Sequence, residues 1–196
     1  MRWIGVCLGI LMGVVVYGES LPSPNIFLQD AFDRLTSFVQ PVSGNVRTTR
    51  DLEASLQQWA EDLVDFTLIA QLSVGRSAWT AAASDVQSQF VQTFKTHIFD
   101  TYLSQFLAYK DVQAAVTFGD PILKSNKAKV PCRIQSGASE LNVAFKVYSS
   151  QSNWKIYDVD VDGVSLVSAF RMQFSSRLKD GTLSDLTRSL AEKNRS

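Results

Sequence analysis

The sequence predicts an α+β fold in which an antiparallel sheet of four to five strands packs against several helices. Three observations predict it. Up to about residue 109 the apolar residues recur at spacings of three and four, the signature of amphipathic helices. From Asp111 to Val161 they recur at a spacing of two, in four runs separated by short turn-like stretches, which favours antiparallel hairpins over crossovers. After Ser165 the helical spacing returns. With 196 residues the chain is long enough for one domain with a substantial core and too short for two of ordinary size.

The elements follow in order. Arg2 and the apolar run "WIGVCLGILMGVVV" have the pattern of a secretory signal peptide, read as residues 1–18 with the mature domain at 19–196. The run falls short of the about 20 apolar residues a spanning helix requires. Ser23 and Pro24 can start a helix through about Val39, with Ile26, Phe27, Ala31, Leu35 and Phe38 on its apolar side. "QPVSGNVRTT" breaks it, and a second, polar-faced helix runs through "RDLEASLQQWAEDLV". A short helix follows, with Asp65 as N-cap and Gly75 near its end. The longest helix runs from Ser84 to about Tyr109; Ser84 and Gln87 have capping-box spacing. Phe90, Val91, Phe94, Ile98, Tyr102, Leu103 and Phe106 form its apolar stripe.

The strand runs are "DVQAAVTF", "KAKVPCRIQ", "ELNVAFKVYS" and "NWKIYDVDV", joined by "GDPILKSN", "SGAS" and "SQS" as turns. In the third run Leu141, Val143, Phe145 and Val147 face one way and Asn142 and Lys146 the other, so the sheet has a dry and a wet side. Cys132 alternates with Val130 and Ile134, which reads as a small buried hydrophobe. Two helices close the chain, one from Ser165 ended by Gly181, the other opened by Thr182 and Asp185 at capping-box spacing.

Composition excludes several function classes. The leader takes with it one of the 19 Lys and Arg residues and one of two cysteines, leaving a nearly neutral domain with Cys132 alone. A neutral surface without a basic cluster argues against nucleic acid as partner and against tight adhesion to anionic membranes. One cysteine in an exported domain leaves the fold to stand on its core, without an internal disulfide. His97 is the only histidine and sits inside the long helix, so neither a Ser-His-Asp site nor a common zinc set can be assembled locally. No phosphate-binding glycine loop and no G-x-S-x-G elbow is present. The expectation is no enzyme, no catalytic residue, no metal and no cofactor.

"DVDVDG" at 158 to 163 begins like a calcium loop, with Asp at positions one, three and five and Gly at six. Its twelfth position is Ala169, where a bidentate Glu would supply two oxygens. The competing reading is a strand end on which Asp158, Asp160 and Asp162 point into water and Val159 and Val161 point inward. Apolar surface is what the chain has in abundance: twelve Phe, four Trp and five Tyr. Part of it can line a cavity between the dry sheet face and the long helix, because bulky rings hold helix and sheet apart.

"VDFTLIAQLSVGRSAW" (64 to 79) and "NWKIYDVDVDGVSLVSAFRMQF" (153 to 174), the latter followed by "GTLSDL", resemble two signature blocks of the Mla-pathway periplasmic phospholipid-binding proteins, the MlaC or toluene-tolerance auxiliary family. The resemblance spans roughly residues 25 to 194, and "TAAASDVQ" after "RSAW" departs from the family's usual run there. It implies a deep apolar pocket for the acyl chains of a phospholipid, with Asp158 as the aspartate of the W-K-V-Y-D block and Ser165 as cap of the next helix. The residues expected to bind lipid are Phe66, Trp79, Phe94, Ile98, Tyr102, Phe106, Leu141, Val143, Phe145, Val147, Trp154, Val164 and Phe170. The implied function is a soluble, monomeric periplasmic carrier that shuttles phospholipid and so maintains outer-membrane lipid asymmetry. The implied partners are an outer-membrane lipoprotein complex and an inner-membrane ABC transporter complex with a lipid-binding domain. The alternatives are carriage of another amphiphile such as a hopanoid and, in a different class, a secreted hydrolase or ligand-free adaptor.

Overall fold

The computed structural model describes residues 21–39, 48–109, 115–150 and 153–195; the expected leader lies outside them. Seven helices and six strands are described, in the order α1 (Pro24–Val39), α2 (Thr49–Leu63), α3 (Phe66–Val74), α4 (Arg76–Ala81), α5 (Ser84–Tyr109), β1 (Ala115–Phe118), β2 (Ile122–Lys124), β3 (Lys127–Ser136), β4 (Ser139–Ser150), β5 (Asn153–Val161), β6 (Val164–Ser165), α6 (Leu166–Asp180) and α7 (Leu183–Lys193). The fold is α+β with an antiparallel sheet ordered β1-β3-β4-β5-β6, and β2 pairs with β3. No described helix is long and apolar enough to cross a membrane.

Most helix boundaries follow from caps, each contributing about 1 kcal/mol. Asp65 accepts from Leu68 N–H at 2.8 Å and Ser165 from Ser168 N–H at 3.1 Å, while Thr182 and Asp185 close a reciprocal capping box. A second such box, Thr48 with Asp51, starts α2 one residue earlier than the sequence suggests. The Ser84–Gln87 box does not form: Gln87 Nε2 reaches back to Trp79 O at 2.8 Å and Ala82 O at 3.2 Å, tying α5 to the end of α4. Gly75 separates α3 from α4 at φ +80°, and a Cβ there would sit 3.1 Å from the Arg171 guanidinium. On α1 the buried side is Phe27, Leu28 and Ala31, and Ile26 is 52% exposed, so the apolar stripe is rotated from the expected one.

The strands depart from expectation in two places. "GDPILKSN", read as a turn, contains β2, whose Ile122 and Leu123 stay exposed. "DG" at 162 and 163 is a two-residue hairpin turn with both φ positive, +47° and +84°, which brings β6 back along β5. The other part of the β5 edge is sealed by Asp65 N–H donating to Ile156 O at 2.9 Å.

β5 also carries the irregularity that decides its faces. Val147 pairs with Ile156 but Lys146 pairs with Asp158, so Tyr157 is the extra residue of a β-bulge. The bulge reverses parity, since side chains otherwise alternate with a strict period of two. Before it Trp154 and Ile156 lie on the dry face with Val147; after it Val159 and Val161 lie there with Phe145 and Val143. Without it Asp158 and Asp160 would follow Ile156 into the apolar layer. The aspartates are on the opposite face, as expected, but Asp158 and Asp160 do not point into water: they are 5% and 7% exposed. Lys146 covers both, at 2.8 Å from Asp158 Oδ2 and 2.7 Å from Asp160 Oδ1, and Lys129 lies 2.9 Å from Asp160 Oδ2. Only Asp162, in the turn, is exposed.

Two separate cores result. The dry sheet face (Ala128, Val130, Val147, Trp154, Ile156) packs against Phe27, Leu28 and Ala31 of α1 and Leu63 of α2. The second core is entirely helical, built by α3, α5, α6 and α7 around Phe90, Phe94, Phe170 and Phe174, with Phe94 and Phe170 edge to face at 4.7 Å. The expectation that Phe94 lines a lipid wall is therefore corrected. The first half of the α5 stripe belongs to the helical core, where His97 is buried and bonds Asn194 of the α7 C-cap at 2.9 Å.

Candidate functional site: an apolar cavity under two helices

Between the two cores lies a cavity of about 290 Å³ whose fourteen lining residues are all apolar or aromatic. Its floor is the dry sheet face at Phe145, Ile156 and Val159, and these three come together only because of the Tyr157 bulge. Its roof is α2, with Leu56, Trp59 and Ala60 at helical spacing on one side of that helix. Trp59 Nε1 donates to Ala31 O at 3.0 Å, which fixes the indole against α1 and leaves its rings to the cavity. Ile98, Phe99 and Tyr102 of α5 and Phe66 and Ile69 of α3 form the side wall, with Phe66 and Phe99 5.6 Å apart. Tyr102 is 41% exposed, so the cavity opens there; burial of the rest of its ring raises the phenol pKa above the ordinary value.

The fourth side is held by charge. Leu166, the first residue of α6, lines the cavity, and its neighbours are bonded to Asp158. Ser165 Oγ donates to Asp158 Oδ2 at 2.6 Å and Val167 N–H to Asp158 Oδ1 at 3.1 Å. Lys146 thus anchors, through Asp158, the start of the helix that closes the cavity. Burial alone would raise the pKa of Asp160, but hydrogen bonds and charge from Lys146 and Lys129 hold it below the ordinary carboxylate value. Lys146 is shifted the other way: burial works to lower it, and the two carboxylates raise it above the ordinary lysine value. Asp65 plays a similar part: besides capping α3 it accepts a hydrogen bond from the Tyr148 hydroxyl, tying α3 to β4.

Of the residues the sequence proposed for a lipid wall, the structure brings Phe66, Ile98, Tyr102 and Phe145 together around this cavity. Phe94 and Phe170 are in the helical core and Trp79 packs against it. Val147 and Trp154 are buried between the sheet and α1, where Trp154 Nε1 donates to Pro22 O at 2.8 Å. Val143 is buried further along the sheet, opposite Cys132, and Leu141 and Val164 are 37% and 58% exposed. The Phe106 side chain falls outside the described residues. Missed were Leu35 of α1, the α2 residues Leu56, Trp59 and Ala60, and Val64, Ile69, Phe99, Ile156, Val159 and Leu166. The apolar stripe of α2 was a readable signal; the β5 contribution was not, because it depends on the bulge.

The family model for the MlaC protein matches residues 29–192. The chain belongs to the MlaC family. Among solved structures it is similar to the phospholipid-binding protein from Ralstonia solanacearum, which was solved in complex with a phospholipid. That likeness has a TM-score of 0.74 at 20% identity and covers 89% of this chain and 98% of the other, which establishes a shared fold. No curated protein gave a match. The two signature blocks now have structural roles in this MlaC-family chain. In V-D-F, Val64 bridges to Ile156, Asp65 caps α3 and Phe66 lines the cavity. In W-K-I-Y-D, Trp154 anchors the segment before α1, Tyr157 is the bulge and Asp158 holds α6.

Proposed function

We propose that this MlaC-family chain is a soluble periplasmic carrier that takes up a phospholipid by its acyl chains and shuttles it between outer- and inner-membrane complexes, sustaining outer-membrane lipid asymmetry. The observation that carries the reading is the cavity: fourteen apolar lining residues with an opening at Tyr102, in the family fold. Its volume stands at the lower end of the about 300–1,000 Å³ usual for small-molecule sites. Each methylene withdrawn from water there contributes about 0.8 kcal/mol, which makes a lipid the best-matched ligand for a wall with no hydrogen-bonding demands. The phospholipid held by the Ralstonia protein supports the choice of cargo. Nothing in such a function requires a reacting group, and the reading is of a binding and transport protein, not an enzyme.

The partners that fit are the outer-membrane lipoprotein complex and the inner-membrane ABC transporter complex with its lipid-binding domain. Native mass spectrometry of protein purified from its own cells, followed by lipid extraction, tests the cargo. A two-chain phospholipid is the expected result; a polycyclic amphiphile would replace the cargo, and an empty protein would overturn the carrier reading. Loss of outer-membrane integrity in a deletion strain, restored by the intact gene, tests the shuttle.

A further inference from the structure

All three residues of β2 are exposed, and the strand pairs with β3 alone. Its two aliphatic side chains, Ile122 and Leu123, are 65% and 63% exposed. Ile122 stands opposite Lys129 and Leu123 opposite Ala128, so the two project to opposite faces of the sheet, Ile122 to the wet face and Leu123 to the dry one. Leu123 takes no part in the core that Ala128 joins, and neither residue lines the apolar cavity. Lys124 pairs with Lys127 across the turn at Ser125 and Asn126, and both lysines are on the wet face with Ile122 and Lys129.

The chain is neutral in sum, which argues against tight adhesion to anionic membranes, but this edge is not neutral. Residues 119–131 hold Lys124, Lys127 and Lys129 against one carboxylate, the exposed Asp120. Lys129 is matched by Asp160 at 2.9 Å. Among the described residues no carboxylate lies within ion-pair distance of Lys124 or Lys127, and Lys127 Nζ instead stands 5.0 Å over the Tyr157 ring. Two unmatched ammonium groups thus stand beside two exposed aliphatic side chains.

Lysines on an edge strand and a strand of only three residues are both guards against edge-to-edge pairing. Neither accounts for aliphatic side chains left in water on both sides of the edge. The geometry also selects among occupants. An added peptide strand would find only three residues to pair with. A rigid protein surface laid on the wet face would cover Ile122 and leave Leu123 in water. A lipid surface meeting the edge takes in both, because acyl chains deform around side chains that splay apart, while lysine stems lie along the apolar boundary with their ammonium groups in the headgroup layer.

We infer that β2 and its turn into β3 are a membrane contact: the edge rests on an anionic phospholipid surface, Ile122 and Leu123 enter the boundary between headgroups and acyl chains, and Lys124 and Lys127 meet lipid phosphates. The contact goes beyond the carrier reading, since it involves no residue of the cavity. Two cations and two aliphatic side chains make it weak and reversible, as a carrier that leaves the surface again requires.

The test is flotation of protein purified from its own cells with vesicles of phosphatidylcholine alone and of phosphatidylcholine mixed with phosphatidylglycerol, alongside the lipid content of the purified protein. The unaltered protein is expected to partition to the anionic vesicles in preference to the neutral ones, and to lose that preference as salt is raised. Lys124→Gln and Lys127→Gln should each weaken partitioning about fivefold, and Ile122→Ser combined with Leu123→Ser about tenfold. All four side chains are exposed, so native circular dichroism and the normal lipid cargo should be retained. Equal partitioning to both kinds of vesicle, or none, overturns the contact and leaves the carrier reading intact. Undiminished partitioning of a variant carrying all four substitutions also overturns it, by placing the contact elsewhere in the chain. So does a variant that loses vesicles and cargo together, because the effect then comes through the cavity. If the variants bind vesicles normally but fail to exchange lipid with the membrane complexes, the edge is a protein-docking surface and the inference fails. Vesicle contact by a protein that purifies without lipid upholds the contact and overturns the carrier reading.

Discussion

Replacing Lys146 with methionine tests whether the charge cluster behind β5 holds the cavity together. Methionine keeps most of the length of the side chain and removes its ammonium. Lys146 is the only described cation within ion-pair distance of Asp158 and one of two for Asp160, and both carboxylates are more than nine-tenths buried. Breaking a buried pair by removing one partner costs about 3–5 kcal/mol, because the remaining charge is left without compensation. Against a typical stability of about 5–15 kcal/mol this is a large fraction, yet a folded variant should survive. The pH dependence discriminates between a lost charge and a lost contact. In the unaltered protein Asp160 has a folded pKa below its unfolded value, so its contribution is present above the unfolded value and is lost as pH falls through the folded one. In the variant only Lys129 is left to oppose the burial of Asp160, so its folded pKa lies higher than in the unaltered protein and less stability is lost as pH falls. The deficit measured by urea unfolding should therefore be about 3–5 kcal/mol at pH 7 and clearly smaller near pH 3, below the ordinary aspartate value of 3.8. A deficit below about 1 kcal/mol, or one that is the same at both pH values, would refute the assignment of Lys146 as the compensating charge. Since Asp158 bonds Ser165 and Val167 at the start of α6, the same variant should also retain less lipid.

Phe145→Ala should cost less than the about 3–5 kcal/mol of a tightly packed phenylalanine, because that ring faces a cavity, whereas Val147, fully buried on the same strand, has no such relief. Phe145→Asp should fold and purify with markedly less lipid; a folded Phe145→Asp protein with its normal lipid content would rule Phe145 out of the site. Cys132, buried on the dry face with its thiol pKa pushed up to about 11, should resist alkylation in the native protein at pH 8 and react on unfolding; fast native labelling would place it on the wrong face. Millimolar calcium should leave the melting temperature unchanged, since Asp158 and Asp160 are already committed to Lys146, and a melting point that rises with calcium and returns with chelator would overturn that.

Features that depend on neighbours along the chain were legible in the sequence. Helical spacing, the caps at Asp65, Ser165 and Thr182, and the alternation of β3 and β4 are local properties, and each element they define is present in the structure. Cys132 falls on the buried face for the same reason, as every second residue of its strand. Which apolar surface meets which is settled by packing between elements distant in the chain. The α5 stripe reads as a single face, but its first half is taken by α6 and α7, and among its described side chains the stretch from Ile98 to Tyr102 reaches the cavity. The parity of β5 was equally invisible: the same letters, read with an unbroken period of two, put Ile156 beside Asp158 and Asp160. A single extra residue at Tyr157 instead sends Ile156 and Val159 to the cavity and both aspartates to Lys146. A bulge is a property of two paired strands, not of one, and the energy that selects it is the cost of two carboxylates in an apolar layer, which exists only once the sheet and α2 have closed over it.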